Sequence, residues 1–378
     1  MMDKHIPQEF RVTERGVRGP AKHCPHNIIF PAMVSALKTF MGLPPRTHDS
    51  IAHGIKWRDD DDYFFYMGVS GEGFTLCYNM LDFLQEGKWN NQSLDDCFAA
   101  EGIKYRLFGD GTIPVKDTPM NPDTVGEQIV QHLLSDRPVI LFREKVSYKL
   151  VVGYTDYGNT LIAHGGHSGV RIGKTAKPLE SWKRGLSAVI FIDGIEAPGD
   201  RKEIAWRSLF RAYEMLTEKD QPFLEYGYGE GAWWKWIYRL EDDRNYRAKN
   251  SNFRYINPEK FDLAERRAYT AGFFEQVQDI LKIDLSVPAR IFRTIHDKMW
   301  DVHWQVYGEN KRSLRDKATR ERIVWFLKEC RDLERQAAAA IGQVLLENDS
   351  SVPDQRSIAV GDVNGNSMMP AYPRRAKG

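Results

Sequence analysis

The chain has 378 residues, of which 42% are hydrophobic and 28% charged, with a formal net charge of +1. That length exceeds one typical core and predicts two domains. Near-balanced charge excludes the sustained basic excess of a general nucleic-acid or membrane-surface binder, and no apolar run reaches the ~20 residues that span a bilayer.

The opening stretch "MMDKHIPQEFRVTERG" lacks the apolar core of a signal peptide, so a cytoplasmic protein is expected. Residues 27–42, "NIIFPAMVSALKTFMG", place Ile28, Ile29, Ala32, Met33, Ala36 and Leu37 on one face, which predicts an amphipathic helix stopped by Gly42. The four aspartates 59–62 read as a solvated surface run. A second helix is predicted over 71–87, with Phe74, Cys77, Tyr78 and Leu81 as its stripe. A third begins at Ser93, with acids in its first turn, and a fourth lies within 124–136, where Val125, Ile129 and Leu133 align.

The pattern then changes. "RPVILFRE", "YKLVVGYT", "NTLIAHG" and "SAVIFID" are short runs rich in β-branched and aromatic residues, and "DYGN" between Thr155 and Thr160 predicts a hairpin turn. Together they predict a largely antiparallel sheet. "GIEAPGDRKE" reads as a linker, with the domain boundary at 195/196. Beyond it the chain is helical. Phe292, Ile295, Met299, Val302 and Val306 recur at three- and four-residue steps, as do Ile323, Phe326, Leu327, Cys330, Leu333, Ala337 and Ile341, so a helical domain over 196–347 is predicted. The tail 348–378 is rich in Ser, Pro, Gly, Asn and charge and reads as disordered.

Chemistry is sought first at "HCPH", residues 23–26. Four cysteines without a CxxC pair are expected to be free thiols. Cys24 sits where a helix begins, and unpaired amides and the helix dipole favour a thiolate there. Such a nucleophile needs a base, and His26 is close in sequence. Two other readings stand beside it. One is a buried structural cysteine. The other is a zinc set of Cys24, His26, His164 and His167, but its spacing matches no standard signature, so no metal and no cofactor is expected.

"MGVSGEGF" (67–74) puts Ser70 and Gly71 before an expected helix, where backbone amides could hold an anion or a substrate carboxylate; the alternative is a tight loop. In "YGYGEGAWWKWIY" (226–238), Tyr228, Trp233 and Trp236 line either a cleft or a core, and Glu230 is a candidate buried carboxylate. His296 and His303 lie two helical turns apart and are assigned to packing or surface.

Four stretches resemble a known family: "CPHNIIFPAMVSALKTFMG", "YFFYMGVSGEGFTL", "RPVILFREKVSYKLVVGYTDYGNTLIAHG" and "LEYGYGEGAWWKWIYRLED". Together with the order of helices and then sheet, they are similar to the papain-like N-terminal domain of the butirosin biosynthesis acyltransferase type, across most of residues 15–245. The resemblance implies an α+β fold: a papain-like helix plus antiparallel sheet domain over 1–195, followed by an all-helical domain. It also implies cysteine-dependent acyl transfer, or amide or thioester handling, in bacterial specialised metabolism. In such enzymes the base histidine begins the strand that ends in "VVGY". Here that position is Ser147, with Tyr148 beside it, and the third catalytic position matches His164. The expected catalytic set is therefore Cys24, His164 and His26, with Ser70, Gly71, Ser147, Tyr148, Glu230 and Trp233 around the substrate. Expected partners are a small-molecule or peptide substrate, an acyl carrier protein and a second copy of the chain. The missing histidine supports a rival expectation: an inactive papain-like protein that binds a small molecule or a partner protein.

Overall fold

The computed structural model describes residues 6–13, 30–44, 61–79, 91–109, 118–121, 124–143, 147–165, 176–217, 226–246, 257–307 and 314–348. Cys24, His26, His167 and the tail beyond 348 lie outside the described residues.

Strand β1 (Phe10–Arg11) comes first, then helices α1 (Phe30–Phe40) and α2 (Asp61–Val69). Next come β2 (Cys77–Asn79), α3 (Asn91–Ala99), β3 (Ile103–Gly109), β4 (Thr118–Pro119) and α4 (Val125–Leu134). Strands β5 (Val139–Arg143), β6 (Ser147–Thr155), β7 (Thr160–Gly165), β8 (Lys177–Leu179) and β9 (Leu186–Ile195) follow in turn. The rest is α5 (Arg201–Thr217), β10 (Tyr226–Tyr228), α6 (Glu230–Glu241), α7 (Asn257–Leu281), α8 (Ser286–Tyr307) and α9 (Lys317–Asn348). The fold is α+β with a helical C-terminal region, in line with the sequence.

Helix α1 matches its predicted stripe: Ala32, Met33, Ala36, Leu37 and Phe40 are buried. Pro31 falls in the first turn, where its missing N–H breaks no bond. Gly42, at φ 72°, lets the chain fold back so that the Leu43 amide reaches the Lys38 carbonyl at 3.0 Å. The predicted stripes of α8 and α9 are also buried through Phe292, Ile295, Met299, Ile323, Leu327, Cys330 and Ile341.

Eight strands among the described residues form one sheet, in the order β4-β3-β9-β5-β6-β7-β8, with β1 paired to the end of β6. Every pairing in it is antiparallel except β3 with β4. The β6–β7 turn carries positive φ at Asp156, Tyr157 and Gly158, as the "DYGN" signal implied.

Over its described residues, 71–79, the helix predicted for 71–87 is not formed. The helix lies upstream, in α2, and Gly71, at φ 81°, follows two residues after its end. Cys77–Asn79 is a strand paired with Tyr226–Tyr228. Phe74 packs among Phe273, Phe274 and Phe292 instead of lining a stripe with Cys77. The aspartate run is also more than a solvated surface: Asp61 and Asp62 open α2, and Asp62 accepts from the buried Lys38 amine at 2.7 Å.

The stretch 196–200 is held in place. The Glu196 amide donates to the Gly102 carbonyl and the Gly199 amide to the Ala99 carbonyl, each at 2.7 Å, and Asp200 caps α5. Contacts cross this boundary in several places. α2 packs on α7 and α5, and β2 pairs with β10. A single apolar cluster runs through both halves, from Val12 to Leu345.

Candidate functional site

The turn after α2 was a candidate anion cradle, and the structure uses it differently. The amides of Ser70, Gly71 and Gly73 donate to the carbonyls of Tyr66, Gly68 and Met67, and the Glu72 amide donates to Ser70 Oγ at 3.1 Å. Phe74 and Thr75 donate to Gly71 and Glu72. Each amide from 70 to 75 is spent within the turn, and the Ser70 hydroxyl donates to Met67 O at 3.4 Å, so the turn presents no unspent backbone donor to an anion or carboxylate.

The carbonyls of the same turn face three buried arginines. Arg211 of α5 donates to Val69 O, Arg266 of α7 to Glu72 O at 2.7 Å, and Arg267 of α7 to Gly73 O at 2.5 Å. Acids balance these cations. Asp96 accepts from Arg211 at 2.6 Å and Arg207 at 2.7 Å. Glu334 of α9 accepts from Arg267 Nε at 2.6 Å. Burial pushes the Arg267 guanidinium down from its usual range, and Glu334 opposes that shift. The cluster ties α2, α3, α5, α7 and α9 together around one glycine-rich turn. Its members were not read as special in the sequence, because each looks like an ordinary helix-surface charge.

Trp233 belongs to this interior and does not line a substrate cleft. It is fully buried, stacks on Trp236 with ring centroids 6.0 Å apart, and its indole donates to Glu334 at 2.6 Å. Glu230 is not a buried carboxylate. It sits in the first turn of α6, partly exposed, and accepts from Arg335 and from the Trp234 indole.

At the sheet, the register separates two candidates. Leu150 of β6 lies opposite His164 of β7, and Phe142 of β5 lies opposite Tyr148. Side chains alternate along a strand, so Tyr148, Leu150 and His164 share one face. Lys149 and Gly165, which pair with each other, share the other. The residue paired with His164 is Leu150, and Tyr148 stands two residues before Leu150 on the same face. Both Tyr148 and His164 are buried, at 1% exposure. Helices α1 and α4 both pack against β6. Burial makes the Lys149 amine easier to deprotonate, and Arg143 adds to this.

The proposed thiol Cys24, His26 and the possible ligand His167 lie outside the described residues. Among the described residues, no group of three or more His, Cys, Asp and Glu side chains is placed to hold a metal ion, and no helix is long and apolar enough to cross a membrane. Cys97 and Cys330 are buried free thiols.

A cleft of about 330 Å³ opens between the end of α6 and the first turns of α9, lined by Leu240, Asp243, Arg320, Val324, Trp325 and Lys328 among others. None of the sequence-predicted site residues lines it. Its charges meet one another: Arg320 with Asp243, Lys328 with Glu241, and Lys317 with Glu321. No family model, curated protein or solved structure matches this chain.

Proposed function

We propose that this chain is a papain-like, cysteine-dependent protein that transfers an acyl group, or handles an amide or thioester, on a small molecule or peptide of bacterial specialised metabolism. Cys24 accepts the acyl group and His164 takes the thiol proton, with His26 as the nearer candidate in sequence. The observation that carries the reading is the position of His164. It is buried on β7, next to β6, the strand against which α1 packs, and α1 begins six residues after Cys24. The resemblance of the four stretches supports the rest.

The chemistry runs in two steps. The thiol proton passes to imidazole, sulfur attacks the acyl carbonyl, and the leaving thiol or amine takes a proton back from the imidazolium. The acyl-sulfur bond is then broken by an amine, alcohol or water acceptor. Amides that open the helix after Cys24 would support the oxyanion.

One observation favours a second reading, a binding protein without turnover. The start of β6, where the resemblance puts the base histidine, reads Ser147–Tyr148, and the residue paired with His164 is Leu150, so neither position supplies an imidazole.

Incubation with acyl thioesters followed by intact-mass measurement separates the two. The expected result is one acyl adduct, mapped to Cys24 and lost in Cys24→Ser. His164→Ala should slow adduct formation by about 100-fold or more. The buried Cys330, whose thiol is pushed well above its usual range, serves as the slow internal reference. No adduct, with iodoacetamide labelling Cys24 no faster than Cys330, establishes the binding reading in place of the catalytic one.

A further inference from the structure

We infer that His296 and Trp300 form a proton-sensitive joint in α8, closed at neutral pH and opened when His296 gains a proton. The two residues lie one turn apart on the same helix face. The Trp300 indole N–H reaches His296 Nε2 at 3.0 Å, and His296 Nδ1 lies 2.9 Å from an Asp297 carboxylate oxygen.

Donor and acceptor rules determine the protonation state. An indole nitrogen can only donate, so His296 Nε2 must accept and carries no hydrogen. Nδ1 then holds the ring proton and donates to Asp297. A proton added at Nε2 would set two N–H donors head-on. The imidazolium keeps and strengthens its bond to Asp297, and the indole of Trp300 is displaced. Trp300 is partly buried and packs against the core, so its release loosens the side of α8 that it covers.

The charged surroundings are mixed. Burial disfavours the protonated ring, Asp297 favours it and Arg293 disfavours it, and the sum lowers the pKa from the ordinary 6.5. The two helices packed most extensively on α8 are α7 and α9. From α7, Glu275 acts on Arg293; from α9, Glu329 holds Lys298 at 2.7 Å, two residues beyond His296.

The test uses the full chain labelled with 5-fluorotryptophan and followed by fluorine NMR from pH 8 to 4.5. Trp300→Phe assigns the line. The expected result is that this line shifts with a midpoint below 6.5 while the other tryptophan lines hold. In His296→Gln, whose amide oxygen accepts at any pH, the line should stay near its neutral position. An imidazole resonance of the unmodified chain must share the midpoint, a check that does not depend on the variant folding. A flat Trp300 line overturns the joint. So does an unchanged midpoint in His296→Gln, the absence of a matching imidazole midpoint, or a shift that occurs only with collapse of every tryptophan line.

Discussion

Glu334 shows how one residue can hold an interior together. Its two oxygens take the Trp233 indole and the Arg267 guanidinium, deep between α6, α7 and α9. A buried ion pair adds little against an apolar isostere, but removing one partner leaves the other charge stranded. Glu334→Ala should therefore cost about 3–5 kcal/mol in urea unfolding. Lys317→Ala, which breaks an exposed pair with Glu321, should cost about 0–1 kcal/mol. Equal losses for the two variants would mean that the Arg267 site is wetter or more adaptable than its burial implies. The sequence flagged Trp233 as notable but left open what it touched. A tryptophan on an apolar stripe reads the same whether it faces a ligand or a carboxylate 101 positions away.

The elements that were legible are those with a local signal. α1 carries a helical stripe and a glycine stop, and β5, β6, β7 and β9 are dense in β-branched residues around a turn that needs positive φ. β3 was missed although Ile103, Tyr105 and Leu107 alternate with Lys104 and Arg106, a period-two signal that was there to read. The predicted helix failed over its described residues, 71–79, for a different reason. The strand Cys77–Asn79 exists through pairing with β10, and no local pattern announces a partner so far along the chain. The glycines before it mark close approach. A Cβ on Gly68 would lie 2.1 Å from the Phe273 ring, so α2 and α7 meet there without room for a methyl group. Gly68→Ala should destabilise the chain by about 1–3 kcal/mol, and Phe273→Leu should recover part of that loss in the double variant. Additive costs in that cycle would show that the two residues do not press on each other.

For the whole molecule, the boundary at 195/196 divides the sequence more cleanly than it divides the packing. Arginines from α5 and α7 hold the carbonyls after α2, and β10 completes the pairing of β2. Residues 1–195 expressed alone should lack cooperative thermal unfolding by circular dichroism. Co-expression with 196–348 should restore it. A sharp transition for the first half alone would establish independent domains, as the composition shift first suggested.

What the sequence determined by itself was the α+β class, the helical second half and the core of the sheet. These rest on periodicity and residue type, which are local properties of the chain. Tertiary structure alone decided that the glycine-rich turn is saturated by its own hydrogen bonds and by three arginines, that Trp233 is interior, and that Leu150 and Tyr148 share the face of His164. Each of those outcomes depends on which distant segment arrives opposite a given residue, and register and long-range ion pairing leave no trace in the spacing of neighbours.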